Sequence, residues 1–144
     1  MKKFLSACAL SMTVALPAMA DAPRHLVTVL TAPEPQTQLM AMVLTMNAVQ
    51  QGATAQILLC GPAGDIALNE APASATAGQP PRDASPQGLM RMMMDKHNVK
   101  VEVCAIYLPG KGADATILLD GVTPAAPDAA ATAILADDSV VLSF

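Results

Sequence analysis

The residues in this sequence best suited to covalent chemistry are its cysteines, at positions 8, 60 and 104. A cysteine thiolate can attack disulfides, accept a sulfur atom as a persulfide, or bind a soft metal ion. Cys8 lies within a predicted export signal, so Cys60 and Cys104 are the pair left in the mature chain. That pair could be two inert core thiols, a structural or redox-active disulfide, a sulfur-transfer site or part of a metal site.

Lys111 is a candidate for supporting a thiolate at Cys104, because it follows shortly afterwards within Gly110-Lys111-Gly112. A positive charge lowers the pKa of a nearby thiol, and glycines let backbone amides approach an anionic sulfur species. The same tripeptide is also typical of a solvated turn. The predicted catalytic residues are therefore Cys104, Cys60 and Lys111, with a plain turn as the alternative for Lys111.

Methionines suggest a second chemistry, because thioether and thiolate ligands together select Cu(I). They cluster on one predicted helix at Met90, Met92, Met93 and Met94. Methionine is also a flexible filler of cores that have few aromatic residues, so packing is the competing interpretation. His25 and His97 have no metal-ligand spacing to one another, and a zinc hydrolase is not supported. We expect no resident metal and no cofactor.

The first twenty residues are typical of a cleavable secretory signal. Lys2 and Lys3 precede an apolar run, and Ala18-Met19-Ala20 supplies small residues for cleavage. The run is shorter than the roughly 20 apolar residues that span a bilayer. We therefore expect residues 1–20 to be removed and residues 21–144 to form one periplasmic domain.

The charge of the predicted mature chain limits its partners. Six basic and twelve acidic side chains give a net charge of −6 with histidine neutral. Nucleic acid and anionic membrane surfaces are poor partners for such a chain. Only Tyr107 and Phe144 are aromatic after cleavage, so platforms for base stacking are missing as well. The sequence also has no phosphate loop, nucleophile-elbow serine or dinucleotide fingerprint.

Apolar patterns predict five strands that alternate with helices. The strands are predicted at residues 25–30, 55–60, 99–104, 121–125 and 140–144, and the helices at 37–51, 85–97, 113–119 and 127–136. Residues 61–85, rich in small residues and proline, predict a long loop that includes one short helical turn. This order predicts a three-layer α/β/α sandwich with a five-stranded, mainly parallel sheet. Cys60 and Cys104 then lie at carboxyl ends of strands, where such sheets form their ligand crevices.

The sequence resembles the DsrE/DsrF-like family of sulfur-relay proteins, which includes the sulfurtransferase subunits of the Tus complex. The resemblance covers nearly all of the mature chain and rests on Gly52, Leu58-Leu59-Cys60, residues 99–104, Gly121-Val122 and residues 138–144. It implies a small α/β domain that assembles into trimers or hexamers. It also implies that Cys104 occupies the position that carries sulfur as a persulfide, with Cys60 on the neighbouring strand. Cys60 and the export signal are not part of the relay pattern.

These observations predict a periplasmic DsrE-like protein that handles sulfur transfer or thiol redox chemistry through Cys104, with Cys60 as its partner. A sulfur-donor or thiol-redox protein would be its partner, and neither nucleic acid nor a membrane is expected. The alternatives are a Cu(I)-binding module that uses both cysteines and the methionines at 90–94, and a non-catalytic interaction protein whose Met-rich helix forms an oligomer interface.

Overall fold

The structure, a computed structural model, describes residues 24–144, so the predicted export signal lies outside the described residues. One sheet has the strand order β4-β3-β2-β1-β5, and every pairing in it is parallel. Its strands are β1 (His25–Leu30), β2 (Thr54–Leu59), β3 (Lys100–Val103), β4 (Thr123–Pro124) and β5 (Ser139–Ser143). The helices are α1 (Pro35–Gln50), α2 (Ala73–Thr76), α3 (Pro86–His97), α4 (Tyr107–Lys111) and α5 (Pro127–Leu135), with short 3₁₀ helices at Gly61–Ala67 and Ala115–Ile117.

Helices lie on both sides of the sheet because the connections between successive strands run toward both of its edges. The connections through α1 and α3 run from β1 to β2 and from β2 to β3, toward the β4 edge, whereas α5 returns from β4 to β5 at the opposite edge. Right-handed crossovers in opposite directions place their helices on opposite faces. The α/β fold predicted from the sequence is confirmed. Within residues 24–144, every helix is too short or too polar to cross a membrane.

The main core fills the space between the sheet and the layer of α1 and α3. Its fully buried members include Leu30, Ile57 and Leu59 from the strands, Met42 from α1, and Met90 and Met93 from α3. Flexible thioether side chains fit the irregular gaps between helix and sheet without the directional demands of aromatic rings. The packing interpretation is therefore confirmed for Met90 and Met93.

The opposite face of the sheet carries a polar group of three side chains. Glu102 is buried, accepts a hydrogen bond from the Gln56 Nε2 at 2.6 Å, and pairs with the Lys100 Nζ at 2.8 Å. Both carboxylate oxygens thus have a partner, as a buried charge requires. The alternation of polar and apolar residues along β3 predicts this face correctly.

Residues 61–85 differ from the predicted loop. The 3₁₀ helix Gly61–Ala67 follows β2 directly, α2 comes next, and Gln79 and Ala84 form an isolated antiparallel bridge. Ala63, Ile66 and Ala67 are fully buried. The predicted loop was wrong here. A segment rich in alanine and glycine has the composition of a loop, but these small residues also allow backbone segments to pack closely. The helix predicted at 113–119 was also misplaced, since α4 ends at Lys111 and only Ala115–Ile117 is helical in that range.

Candidate functional site

Cys60 and Cys104 meet at the carboxyl-end edge of the sheet. Each follows the last residue of its strand, and those last residues, Leu59 and Val103, are partners in the register of β2 and β3. The Cα atoms of the two cysteines are 5.0 Å apart and their sulfurs form a disulfide. This Cα distance lies within the usual range for disulfides. The structure therefore brings the two sequence-predicted cysteines together.

Backbone hydrogen bonds set the positions of both cysteines independently of the sulfur atoms. The Cys104 N–H donates to the Leu59 carbonyl at 2.8 Å, and the Cys60 N–H donates to the Leu30 carbonyl at 2.9 Å. These bonds continue the hydrogen-bond ladders of the parallel strands by one residue beyond the ends of β2 and β3. The sheet thus holds the two Cα atoms near each other whether or not the sulfurs are bonded.

The disulfide lies at the surface of the protein. Cys60 and Cys104 are both half-buried, and Ile106, two residues after Cys104, is 82% exposed. A thiol must approach a sulfur atom directly to exchange with it, so accessibility is a requirement for redox chemistry. Both residues of the pair retain part of their solvent exposure in the folded chain.

A second contact joins the two segments that follow the cysteines. Tyr107, whose N–H donates to the Cys104 carbonyl, donates its hydroxyl to the Asp65 Oδ1 at 2.7 Å. The Lys111 Nζ lies 2.8 Å from the same Oδ1 and 5.4 Å from the centroid of the Tyr107 ring. We call Asp65, Tyr107 and Lys111 the Asp65 clamp, because it ties the 3₁₀ helix after Cys60 to α4 after Cys104.

The electrostatics of the clamp keep Asp65 ionised and Tyr107 neutral. Partial burial raises the pKa of the Asp65 carboxyl, but hydrogen bonds from Lys111 and Tyr107 and the charge of Lys111 outweigh it, so this pKa lies below its usual value of 3.8. Burial, and then the hydrogen bond to Asp65 and its charge, raise the pKa of Tyr107 above its usual 10.0. Both groups therefore hold the protonation states that suit their hydrogen bond across the neutral range.

Lys111, the third predicted site residue, lies in the clamp, where Asp65 offsets its charge. Its predicted support of a Cys104 thiolate stays a prediction. Asp65 and Tyr107 were missed in the sequence, although Tyr107 gave a signal: it is the sole tyrosine and stands three residues after Cys104. Asp65 had no comparable signal, because its partners are more than forty residues away.

The methionines predicted as alternative ligands are distributed through the hydrophobic packing. Met90 and Met93 have no exposed surface, while Met92 and Met94 are half-buried against the same core. The His25 Nδ1 and the Thr54 Oγ1 lie 2.8 Å apart and share a hydrogen bond. Among residues 24–144, no three His, Cys, Asp or Glu side chains are grouped so that they could hold a metal ion.

Comparison with solved structures agrees with this architecture. The ychN protein of E. coli is 18% identical to the chain, with a TM-score of 0.66. The match covers 85% of this chain and 100% of the ychN chain. MTH1491 of Methanobacterium thermoautotrophicum, a protein of unknown function, is 11% identical, with a TM-score of 0.63 and the same coverage. The chain therefore shares the α/β fold of these two proteins, with a five-stranded parallel sheet. At these identities the likeness concerns the fold and not the activity. No family model matches the sequence, and no curated protein matches it.

Proposed function

We propose that this protein is a DsrE-like protein of the periplasm that carries out sulfur transfer or thiol redox chemistry, with Cys104 as the reactive sulfur and Cys60 as its partner. The observation that carries the proposal is the meeting of two accessible cysteines at the carboxyl ends of neighbouring parallel strands. Ligand crevices of parallel sheets lie at such ends.

A purely structural disulfide is less well supported by the same geometry. A cross-link stabilises a protein mainly by restricting the unfolded chain. It does not require the solvent access that these two half-buried cysteines retain.

The proposed location and assembly rest on other features. The pattern of residues 1–20 supports export to the periplasm, where disulfides form and persist. The resemblance to sulfur-relay proteins supports a trimer or hexamer. Exposed apolar side chains on α1, α5 and β5 are consistent with contacts between copies, namely Met40, Leu44, Leu135, Val140 and Val141. A sulfur donor or thiol-redox protein would meet the assembly at the cysteine pair.

The test is the rate of thiol–disulfide exchange in the folded protein. The oxidised chain is incubated with reduced glutathione over a range of urea concentrations below the unfolding transition, and free thiols are alkylated and counted by intact mass. We expect exchange at a rate that hardly depends on urea, because both cysteines are partly exposed in the native state. Exchange that occurs only as the chain unfolds would contradict the proposal and indicate a structural cross-link.

A further inference from the structure

The pairing of Cys60 with Cys104 bears on any sulfur atom that Cys104 would carry. A persulfide on Cys104 has the form Sγ–SH, and its inner sulfur is the Cys104 Sγ. That is the atom to which the Cys60 Sγ is bonded in the structure. Sulfur carriers that pass on a persulfide must protect it from other thiols. Here the Cys60 sulfur lies within bonding distance of the inner sulfur of such a persulfide.

We infer that the reduced protein is a persulfide reductase, which takes sulfane sulfur from a persulfide donor and releases it as hydrosulfide rather than passing it on. The inference rests on the proposed function, since it requires Cys104 to accept sulfur. It assigns Cys60 the role of the resolving thiol and persulfides of small thiols or of proteins as the substrate class.

The reaction has two steps that balance in atoms and electrons. In the first, the Cys104 thiolate attacks the outer sulfur of RS–SH, the RS–S bond breaks, and RS⁻ leaves while Cys104 Sγ–SH forms. In the second, the Cys60 thiolate attacks the Cys104 Sγ, the bond to the outer sulfur breaks, and HS⁻ leaves as the disulfide forms. The sulfane sulfur gains two electrons, and the two cysteines together lose two.

The geometry favours the second step over transfer to an outside acceptor. The Cα atoms are held 5.0 Å apart by the strand ladders, so Cys60 reaches the Cys104 Sγ without backbone movement. Thiol exchange needs the leaving sulfur on the side opposite the attacking one. Cys104 is only half-buried in the folded chain. Two groups that the fold holds side by side, as it holds Cys60 and Cys104, react far faster than the same groups free in solution at ordinary concentrations.

The product of each turnover is the oxidised form, the form with the Cys60–Cys104 disulfide. A further turnover needs a dithiol reductant, which exchanges with the disulfide and restores both thiols. Without that reductant the reaction stops after one hydrosulfide per chain. This stoichiometry separates a persulfide reductase from a relay protein, which would keep the sulfur and release none.

The experiment uses reduced protein freed of reductant under anaerobic conditions and treated with cysteine persulfide. Hydrosulfide is trapped and counted, and the chain is weighed after alkylation. The variants are Cys60→Ser and Cys104→Ser, and a chain with both substitutions supplies the blank. Each variant is compared with the reduced wild-type chain in thermal unfolding, so that loss of fold is detected separately.

We expect the wild-type chain to release about one hydrosulfide above the blank and to become two hydrogens lighter than its reduced form. The Cys60→Ser chain should release at least about tenfold less and gain about 32 mass units, the mass of one retained sulfur. The Cys104→Ser chain should do neither.

Other outcomes overturn the inference in distinguishable ways. A wild-type chain that stays heavier by one sulfur without releasing hydrosulfide would be a relay protein, which leaves the proposed function intact. Retention of sulfur by Cys104→Ser but not by Cys60→Ser would reverse the two roles. No uptake of sulfur by either the wild-type or the Cys60→Ser chain would overturn the inference together with the sulfur-transfer part of the proposed function.

Discussion

At the residue scale, the sulfurs of Cys60 and Cys104 meet because Leu59 and Val103 are register partners in parallel strands. Neighbouring strands lie about 4.8 Å apart, which is close to the separation that a disulfide requires. A shift of one residue in either strand would move one sulfur to the other face of the sheet. The register of β2 and β3 is therefore as important to the site as the cysteines themselves.

Tyr107 provides a direct probe of the clamp, since it is the sole tyrosine of the chain. Burial and the Asp65 carboxylate raise its pKa, so we expect tyrosinate absorbance to appear in the folded protein only well above pH 10.0. The unfolded chain ionises near pH 10.0, so it loses its proton first and stability should fall as the pH rises beyond that value.

The matched variant for that titration is Asp65→Asn, which removes the carboxylate charge and keeps the size of the side chain. We expect its tyrosine to titrate at a lower pH than in the wild-type protein, while burial keeps the pKa above the usual value. Identical titration curves for the two proteins would contradict the hydrogen bond between Tyr107 and Asp65.

At the scale of elements, the strands were predictable and the short helices were not. Runs such as Ile57-Leu58-Leu59 identify a strand buried on both faces, and β1 and β2 lie within one residue of their predicted positions. In contrast, α4 contains Pro109 and Gly110, which local patterns assign to a turn. It forms because Tyr107 and Leu108 are buried against distant parts of the chain.

The same limit applies to the candidate site. Cys60 and Cys104 could be predicted because they follow strands whose ends share one edge of the sheet. The Asp65 clamp could not, since its contacts join positions that are separated by more than forty residues. The 3₁₀ helix Gly61–Ala67 that presents Asp65 has no periodic pattern of its own.

Gly64 tests how closely the 3₁₀ helix packs against α4. A Cβ atom added there would overlap the Tyr107 ring, so Gly64→Ala should displace the ring and weaken the clamp. We expect a loss of about 1–3 kcal/mol in the free energy of unfolding, the usual cost of overpacking. Urea denaturation of the oxidised protein measures it.

Gly110→Ala is the matched control, because a Cβ atom there has no neighbour within 4 Å. Gly110 lies within α4, where alanine is the better helix former, so we expect no loss of stability from this change. Equal effects of the two substitutions would contradict the close packing of Gly64 and Tyr107.

At the scale of the whole molecule, α1 carries apolar side chains on both its inner and outer surfaces. Met42 and Met46 belong to the core, whereas Met40 and Leu44 are 51% and 42% exposed. A helix at the surface of a monomer usually has a polar outer face, and one that is apolar all round is usually covered. The outer surface of α1 is thus a candidate for the contact between copies in the proposed trimer or hexamer.

Leu44→Glu tests this contact. We expect the substitution to shift the mass measured by light scattering toward the single chain, because it places a charge in an apolar interface. Gln50→Glu adds the same charge at an exposed position of the same helix and should leave the mass unchanged. A wild-type protein with the mass of one chain would contradict the assembly itself.

Cys60 and Cys104 are proposed to form a reactive pair rather than a fixed cross-link. The most direct measurement is the mass of the chain recovered from the periplasm, its proposed location, after acid quenching and alkylation, before and after the cells receive a dithiol reductant. We expect the chain, as residues 21–144, to occur as both disulfide and dithiol, or to carry an extra sulfur on Cys104, in proportions that follow the reductant. A chain that stays wholly in the disulfide form under both conditions would contradict it.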